Sequence, residues 1–329
     1  METVATSISP ADTRRRRGLL LASLGAIGFS GKAIIVKLAY RHGVDTVTLL
    51  TYRMLFSLPL FVALAWWSGR GKPPLTGRDV RVVVGLGFCG YYLASFLDFA
   101  GLRYISASLE RLILYLNPTL VLALGLLAFG KTVTRMQIIA LAVSYAGVVC
   151  VFGRELSVSG ANVPLGASLV FCSTISYALY MTFSGEEVRR LGALRLTGLA
   201  TTVACIICIG QFLVLRPLSA LVVDRAVIWL SVLNATACTF APVLMVMMGV
   251  ERVGAALAAQ AGTIGPVSTI LMAAVLLGEP FTGWVALGTA LVLLGIWLLT
   301  RPAAVIAGRI TRRPRVKRRC RARLSRDSK

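Results

Sequence analysis

Residues 101–109 read GLRYISASL, and residues 249–257, 148 positions later, read GVERVGAAL. The same shift continues without a gap and aligns Pro118 with Pro266, Gly130 with Gly278, Thr134 with Thr282 and Gly147 with Gly295. Overall identity between the halves is low, but these matches fall where a backbone is special: a proline within an apolar segment, a loop glycine and a late-helix glycine. The pattern predicts two copies of one structural unit.

The rest of the chain is organised as apolar blocks. Of its 329 residues 57% are hydrophobic and only 15% charged, with a mean hydropathy of +0.80. A soluble domain of this composition cannot cover its surface, whereas a protein solvated by lipid has such a composition. Ten blocks approach the roughly 20 residues that a membrane-spanning helix needs. They lie at about 18–39, 47–67, 82–100, 107–129, 134–153, 163–184, 196–215, 227–249, 254–277 and 283–300.

The predicted fold is therefore an all-α membrane protein of ten transmembrane helices in two five-helix repeats. Because five is odd, the second copy must face the opposite way to the first. Inverted repeats of this kind recur in carriers, which bind substrate between the repeats near the bilayer midplane. The predicted organisation is a basic amino terminus (1–17), a first repeat (18–157), a second repeat (158–301) and a basic tail (302–329).

Basic residues predict the orientation in the membrane. Even-numbered connections contain Arg70, Lys72, Arg78, Arg81, Lys131, Arg135, Arg189, Arg190, Arg195 and Arg252. Odd-numbered connections contain only Arg41, Arg103, Arg154, Arg216 and Arg225. The termini add Arg14 to Arg17 and the twelve Lys or Arg between Arg301 and Lys329. By the positive-inside rule both termini are cytoplasmic, in a multi-pass protein of the inner membrane. The first apolar run has no convincing cleavage site, so we interpret it as a retained helix.

Several other functional classes find little support in the sequence. The net charge of +22 suggests nucleic acid, but the basic clusters flank apolar blocks, where they meet anionic lipid head groups instead. Six of the seven cysteines lie in apolar blocks, and we interpret Cys205 and Cys208 as small packing residues rather than a redox pair. The single histidine, His42, lies in a loop. With no catalytic or metal-ligand motif, we predict neither an enzyme nor a cofactor.

Two stretches resemble a known family. Gly101 to Leu109, with Asn117-Pro118-Thr119 and Gly130, resembles the fourth span of an EamA domain, and Gly278 to Thr282, with Gly295, resembles the "GE" connection of its second copy. On these residues the chain is identified, over roughly residues 18–301, as a member of the EamA branch of the drug/metabolite transporter superfamily. The resemblance implies a ten-helix carrier with a central cavity lined by both repeats, among relatives that often export amino acids or other metabolites. Lys131 replaces the acid found at Glu279, so for Glu279 we expect only helix capping.

Charged residues inside apolar blocks are the first candidates for a site, because each costs a few kcal/mol or more at the bilayer centre. All six lie in the first repeat and, in the predicted topology, in the outer half of the membrane: Lys32, Lys37, Arg53, Asp98, Glu110 and Arg111. We expect an outer vestibule with a slight excess of positive charge, favouring an anionic or zwitterionic solute.

Each charge has an expected role. Arg111 and Arg53 are the expected carboxylate partners, while Asp98 and Glu110 are expected to bind an amino group or a coupling proton. The alternative is that Lys37 and Glu110 extend to the interface from the span ends and that Asp98 forms a structural pair with Arg53 or Arg111.

Polar and aromatic residues extend the candidate site. Tyr115 shares a helix face with Arg111, and Asn117 adjoins the carbonyl that Pro118 leaves unpaired. In the second repeat Tyr177 and Gln260 are the strongest candidates for the cavity wall. Weaker candidates are Ser176, Tyr180, Asn234 and Thr263, with Tyr91 and Tyr92 favoured as packing residues.

The predicted function is secondary transport of a small-molecule solute by alternating access, most simply export of amino acids or related compounds. The alternatives are a non-transporting scaffold or sensor, an uptake or exchange carrier for an anionic metabolite, and, least supported, a membrane-embedded enzyme. The sequence leaves the oligomeric state open, with a homodimer among the alternatives.

Overall fold

The computed structural model describes residues 10–129, 134–159, 162–253 and 255–300. Within these ranges the regular structure is entirely helical, as predicted. Eight helices are long and apolar enough to cross a membrane, and two further apolar helices, Ile264–Leu277 and Gly283–Leu299, are shorter. Some expectations rest on residues outside these ranges: residues 1–9, Gly130, Lys131 and the basic tail.

The apolar helices are numbered here in chain order. They are α1 (Pro10–Tyr40), α2 (Thr46–Gly69), α3 (Gly77–Gly101), α4 (Ala107–Leu114 and Asn117–Phe129), α5 (Arg135–Ser159), α6 (Val163–Phe183), α7 (Ala193–Leu215), α8 (Arg225–Val253), α9 (Ala255–Gly262 and Ile264–Leu277) and α10 (Gly283–Thr300). Short helices Gly185–Leu191 and Leu218–Leu221 lie in the connections on either side of α7.

Polar caps set several helix ends that hydropathy alone does not predict. The Asp45 carboxylate accepts hydrogen bonds from the first backbone N–H groups of α2. Thr76 and Asp79 form a capping box that starts α3 five residues before the predicted position 82. Ser106 caps α4, and Gly278, with a φ of 72°, ends α9 in the left-handed conformation that glycine adopts at low cost.

At one end of the bundle, the α1–α2 connection contacts the α7–α8 connection. His42 Nδ1 lies 2.8 Å from the Asp224 carboxylate, and the Tyr52 hydroxyl donates to the Leu221 carbonyl at 2.6 Å. The α9–α10 connection lies at the same end, because the Arg41 guanidinium donates to the carbonyl of Leu277 at 2.6 Å. Helix α1 begins at the other end of the bundle, so we call this end the opposite end.

The other end carries Arg14 to Arg17 and is called the basic end. Here the Lys72 ammonium donates to the Leu191 carbonyl at 3.0 Å and the Arg195 guanidinium donates to the Pro73 carbonyl at 3.1 Å. These contacts join the α2–α3 and α6–α7 connections. The α2–α3 and α6–α7 connections thus lie at one end of the bundle, and the α1–α2, α7–α8 and α9–α10 connections lie at the other.

Helix packing repeats between the two halves of the chain. α1 packs along α8 and α6 packs along α3, while α2 packs on α7 and α5 on α10. A Cβ placed on Gly101 would lie 2.8 Å from the backbone oxygen of Gly166, and one on Gly249 would lie 3.0 Å from that of Gly18. Each glycine lies 148 positions from its counterpart, as do the π-helical turns that begin at Phe88 in α3 and Thr236 in α8.

Two of the apolar helices are broken at equivalent positions. α4 is interrupted at Tyr115 and Leu116, just before Pro118, and α9 is interrupted at Thr263, 148 positions after Tyr115. Proline has no backbone N–H and cannot continue the ladder, so the chain turns before a new helical segment begins. Backbone of this kind is tolerated at membrane depth only where protein or a water-filled cavity surrounds it.

Three apolar clusters pack the bundle. One joins α4 to α5, α6, α9 and α10, and the other two lie nearer the two ends of the bundle. The larger one closes the opposite end and includes Val36, Leu50, Phe99 and Leu102 with Cys205 and Cys208. Cys205 Sγ lies 3.6 Å from Met54 Sδ, and Cys205 and Cys208 both pack a helix interface, as predicted. The described cysteines are all free thiols. A smaller cluster joins α3, α6 and α7 nearer the basic end.

Candidate functional site

A cavity of about 580 Å³ lies at the centre of the bundle, lined by residues of α1 to α4 and α6 to α9. Its lining residues in α7 to α9 lie mostly in the half of each helix nearer the basic end, such as Thr197 in α7, whereas those in α2 to α4 lie mostly in the other half, such as Asp98 in α3. The larger apolar cluster separates the cavity from the opposite end. Charged side chains line the boundary between the two.

Three helices bring the first group of charges together. The Lys32 ammonium of α1 lies 2.5 Å from the Asp98 carboxylate of α3 and 3.5 Å from the Glu110 carboxylate of α4. Asp98 is 2% exposed and Glu110 is 0% exposed. The alternative in which Asp98 forms a structural pair with Arg53 or Arg111 is not observed, because Asp98 pairs with the Lys32 ammonium of α1 instead. The alternative in which Glu110 extends to the interface is not observed either, since its side chain is enclosed by protein.

The two guanidinium groups are directed to neutral oxygens instead. Arg53 Nε donates to Thr239 Oγ1 at 3.3 Å, and its Cζ lies 5.2 Å from the ring centre of Phe99. Arg111 Nη2 donates to Ser30 Oγ at 2.9 Å. Arg53 Nη1 and Arg111 Nε are buried without a hydrogen-bond partner. Neither arginine forms an ion pair with a described carboxylate.

Aromatic and amide groups complete the wall beside Arg111. The Tyr115 ring centre lies 5.6 Å from Arg111 Cζ, and its hydroxyl donates to the Gly262 carbonyl across the break in α9. Asn117 also lines the cavity, and its Oδ1 is buried without a hydrogen-bond partner. Tyr177 of α6 faces the same cavity from the other repeat.

Most of the predicted site residues thus meet in one place: Lys32, Arg53, Asp98, Arg111, Tyr115, Asn117 and Tyr177. Glu110 lies behind Lys32 and does not line the cavity wall. Gln260 belongs to the first segment of α9, and its side chain lies outside the part of the chain that the structure describes.

One family model matches the chain twice, once in each half. The model of the EamA-like transporter family matches residues 16–153 and 164–301, which together cover most of the chain. The chain belongs to the EamA family.

Relatives of this EamA protein are named as transporters. It is 29% identical over 286 residues to "Uncharacterized transporter YcbK" of Bacillus subtilis, covering 80% of this chain and 86% of that relative. An "Uncharacterized transporter" of Archaeoglobus fulgidus is 27% identical over 227 residues, covering 68% and 79% of the two chains. One crystal structure is similar with a TM-score of 0.60 at 17% identity, covering 86% of this chain and 98% of that one, which supports the fold.

Among the six charges of the apolar blocks, Lys37 lies apart from both the central cavity and the group around Lys32. It lines a separate recess of about 470 Å³ at the opposite end, together with Arg41, Arg103 and Glu279. The predicted single vestibule of six charges is therefore divided. The physical reason is the apolar cluster, whose residues Val36 and Leu102 fill the space between the recess and the cavity.

Glu279 caps a helix, as expected, but the helix belongs to the other repeat. Its carboxylate accepts hydrogen bonds from the backbone N–H groups of Ala107 and Ser108 at 2.8 and 3.2 Å and from the Ser108 hydroxyl at 2.8 Å. Glu155 accepts hydrogen bonds from the N–H and hydroxyl groups of Ser106 at 2.5 and 2.7 Å, a role that its place in the sequence does not indicate. Both acids neutralise the amino-terminal end of α4.

The weaker candidates divide between packing and cavity lining. Ser176 donates to the Cys89 carbonyl at 2.8 Å, a helix–helix hydrogen bond, and Tyr180 contacts Tyr91 with hydroxyl oxygens 3.2 Å apart. Tyr91 also lines the cavity, whereas Tyr92 packs against the larger apolar cluster. The remaining two lie apart from these: Asn234 is buried in α8 and Thr263 lies at the break in α9.

Two hydroxyl groups that contact the arginines were not predicted from the sequence. Ser30 and Thr239 accept hydrogen bonds from the two guanidinium groups, and Ser30 also donates to the Gly265 carbonyl at 2.8 Å. Neither residue has a distinctive sequence context. Within the described residues, no group of three or more His, Cys, Asp or Glu side chains is arranged to hold a metal ion.

Proposed function

We propose that this EamA protein is a secondary carrier that exports amino acids or closely related carboxylates by alternating access. The observation that carries the proposal is the pair of guanidinium groups, Arg53 and Arg111, at the closed end of the central cavity without a carboxylate partner among the described residues. A buried cation without a counterion is costly, and a carboxylate offers it two parallel hydrogen bonds.

The balance of charge favours a zwitterion. Lys32 and Asp98 neutralise each other, so the two arginines leave the cavity wall positively charged. Asp98 Oδ1 is buried without a hydrogen-bond partner, and the same carboxylate lines the cavity. It is therefore an acceptor for the ammonium group of a solute whose carboxylate binds the arginines.

The rest of the wall suits an uncharged side chain. Phe29, Met54, Phe61 and Val243 contribute apolar surface, and Tyr115 and Tyr177 add aromatic surface with hydroxyl groups. A few polar groups placed in a mainly apolar cavity are the usual arrangement of a small-molecule site. A common α-amino acid matches this combination of surface and charge.

The architecture proposed for this function has ten spans in two inverted repeats, 18–157 and 158–301. Odd-numbered connections meet at the opposite end and even-numbered ones at the basic end, which supports opposite orientations of the repeats. In an inner membrane with both termini cytoplasmic, the apolar cluster closes the outer side of the cavity. This state is suited to loading a solute from the cytoplasm.

Counterflow in proteoliposomes tests the proposal. Purified protein is reconstituted, and exchange is measured with the twenty common amino acids and with the carboxylic acids that lack the amino group. We expect exchange of at least one amino acid, and a loss of more than tenfold in Arg53→Ala and Arg111→Ala. Arg252→Ala, at the end of α8, is the matched control and should exchange like the unaltered protein.

Three outcomes distinguish the alternatives. No exchange of any compound contradicts transport and favours a scaffold or sensor. Faster exchange of acids without an amino group than of amino acids favours a carrier of anionic metabolites, which the excess of guanidinium groups also suits. Unchanged exchange in both arginine variants removes these residues from the site.

A further inference from the structure

We propose that Glu110 binds the coupling proton of this carrier, and that Lys32 makes the proton and the ammonium group of the solute mutually exclusive. The proposal rests on the proposed function and goes beyond it by naming the coupling ion, its binding residue and the sense of coupling. It predicts exchange of one proton for one amino acid.

The surroundings of Glu110 are the first observation. Its carboxyl group is 0% exposed and does not line the cavity, and neither of its oxygens accepts a hydrogen bond from a described donor. The carboxyl group of Asp98 lies beside it, so two acceptors face each other. A pair of adjacent acids in a nonpolar setting is stabilised when one of them carries a proton.

The position of Lys32 is the second observation. A single ammonium group is shared between two acids, at 2.5 Å from Asp98 and 3.5 Å from Glu110. It pairs fully with one carboxylate at a time, because a close charge-assisted hydrogen bond is about 2.8 Å long. A displacement of about 1 Å is therefore enough to exchange its partner.

Few other charged groups lie near enough to Glu110 to compete with Lys32 as its partner. On the first segment of α4 and on α1, the charged neighbours of Glu110 are Arg111 and Lys37. Arg111 is directed to Ser30, and Lys37 lines the other recess. The helices α6, α9 and α10, which pack against this segment, contain no Asp, Glu, Lys, Arg or His within the described residues. Glu155 of α5 and Glu279 of the α9–α10 connection are occupied in capping α4.

The two states of the site follow from these contacts. Without solute, Lys32 pairs with Asp98 and Glu110 carries a proton, so both acids are neutralised. When an amino acid binds, its ammonium group pairs with Asp98, Lys32 turns to Glu110, and the Glu110 proton leaves for water on the side to which the site is open. One positive charge enters as one leaves, and the carboxylate of the solute is neutralised by Arg53 and Arg111.

The exchange of a proton for an amino acid sets the direction in which a proton gradient drives the amino acid. A proton gradient directed into the cell drives amino acids out, by up to about tenfold in concentration per pH unit for one-to-one exchange. A carboxylate without an amino group does not displace the proton and is not driven in this direction. Specificity and energy coupling thus depend on the same ammonium group.

Proteoliposomes with an interior one pH unit more acidic than the medium test the proposal. The probe is whichever of the twenty amino acids exchanges fastest in counterflow. We expect the unaltered protein to accumulate it up to about tenfold. Glu110→Gln, which mimics the protonated acid and leaves Lys32 on Asp98, should neither exchange nor accumulate it but should still exchange the analogue without the amino group. Glu251→Gln, an exposed acid at the end of α8, is the matched control and should accumulate it normally. Accumulation by Glu110→Gln overturns the proposal.

The possible failures are distinguishable. If the unaltered protein exchanges no amino acid, the proposed function fails and this inference fails with it. If it exchanges amino acids but never accumulates them against a pH gradient, the carrier stands and the proton site is overturned.

A measurement on the unaltered protein covers the case in which Glu110→Gln does not insert. Infrared difference spectra should show the carbonyl band of a protonated carboxyl group disappear when the amino acid is added, and carbon-13 labelling of glutamate should shift that band. The acid without the amino group should leave it unchanged. A band that never responds to the amino acid overturns the proposal.

Discussion

The backbone oxygen of Gly166 lies only 2.8 Å from the position that a Cβ on Gly101 would take. Gly18 and Gly249 repeat this relationship at 3.0 Å in the other half of the molecule. Small residues let helix backbones approach closely, and close packing drives the association of helices in membranes. The two glycine crossings therefore position α6 on α3 and α1 on α8, and α1 and α3 carry Lys32 and Asp98 to the site.

Replacing Gly101 with Ala should force α3 and α6 apart. The nearest atoms to the new methyl group are Val170 Cγ2 at 2.5 Å and the Gly166 oxygen at 2.8 Å, and the second belongs to the backbone. We expect a loss of about 1–3 kcal/mol in stability, measured as a lower melting temperature in detergent. Gly85→Ala in the same helix meets no atom within 4 Å and should leave the melting temperature unchanged. Equal effects would contradict the role of the close crossing.

Asp98→Asn should separate amino acids from simple acids. The amide cannot balance the charge of an ammonium group, whereas Arg53 and Arg111 still offer hydrogen bonds to a carboxylate. Counterflow of the best amino acid should fall more than tenfold, while its analogue without the amino group, measured in the same vesicles, should exchange at least as fast. A parallel loss of both would indicate that Asp98 supports the structure and does not select the solute.

Removing Arg190 should destabilise the basic end. Its guanidinium pairs with Glu187 at 2.6 Å and with Asp79, and Asp79 is only 3% exposed. Arg190→Ala leaves that carboxylate buried without its counterion, at an expected cost of about 2 kcal/mol because Arg190 itself is 43% exposed. The melting temperature in detergent measures the effect. Arg189→Ala, the exposed neighbour, should have no effect, and a similar loss there would contradict the assignment to the Asp79 pair.

Acid should loosen the contacts at the opposite end. Hydrogen bonds from the Ala226 N–H and from His42 lower the pKa of Asp224. Partial burial opposes the same change at Asp45, but hydrogen bonds from Thr48 and the charge of Arg216 outweigh it and lower its pKa as well. Because both pKa values are lowered in the folded protein, these contributions are complete above the ordinary aspartate pKa of about 3.9 and are lost as the pH falls below it.

The corresponding measurement uses Asp45→Asn and Asp224→Asn together. The double variant should open the opposite end at neutral pH, seen as faster labelling of a cysteine introduced at Val44, which lines the recess there. The parent cysteine variant should show the same acceleration only in acid, measured with a dipyridyl disulfide, which forms a mixed disulfide with thiols at acid pH and releases pyridinethione. Equal labelling of both proteins from neutral to acid pH would contradict the prediction.

The apolar helices were predictable because apolar length is a local property of the chain. Each predicted block corresponds to a helix, and the differences lie at the ends, where Thr76 with Asp79 and the glycine at Gly278 decide the boundary through hydrogen bonds and backbone conformation. The candidate residues were predictable for a related reason. Charges such as Arg53 and Asp98 are too costly to face lipid, so their presence in apolar blocks already indicates an interior position.

The pairing of these charges was not predictable. Lys32, Asp98 and Glu110 come from three helices, and their distances depend on how each helix is rotated against its neighbours. The same dependence explains why Lys37, five residues after Lys32, lies in a different recess. Ser30 and Thr239 were missed because an isolated hydroxyl in an apolar segment most often bonds its own helix.

By itself, the sequence of this protein determined the helices, their approximate ends, the two-fold repetition of the chain and the set of charges kept away from lipid. These follow from hydropathy, backbone chemistry and the cost of burying charge, which act over a few residues. Only the tertiary structure decided which charges neutralise each other and which arginines are left for a solute. Those outcomes depend on ångström-scale distances between helices, and the distances are set by the packing of side chains and glycines that are far apart in the chain.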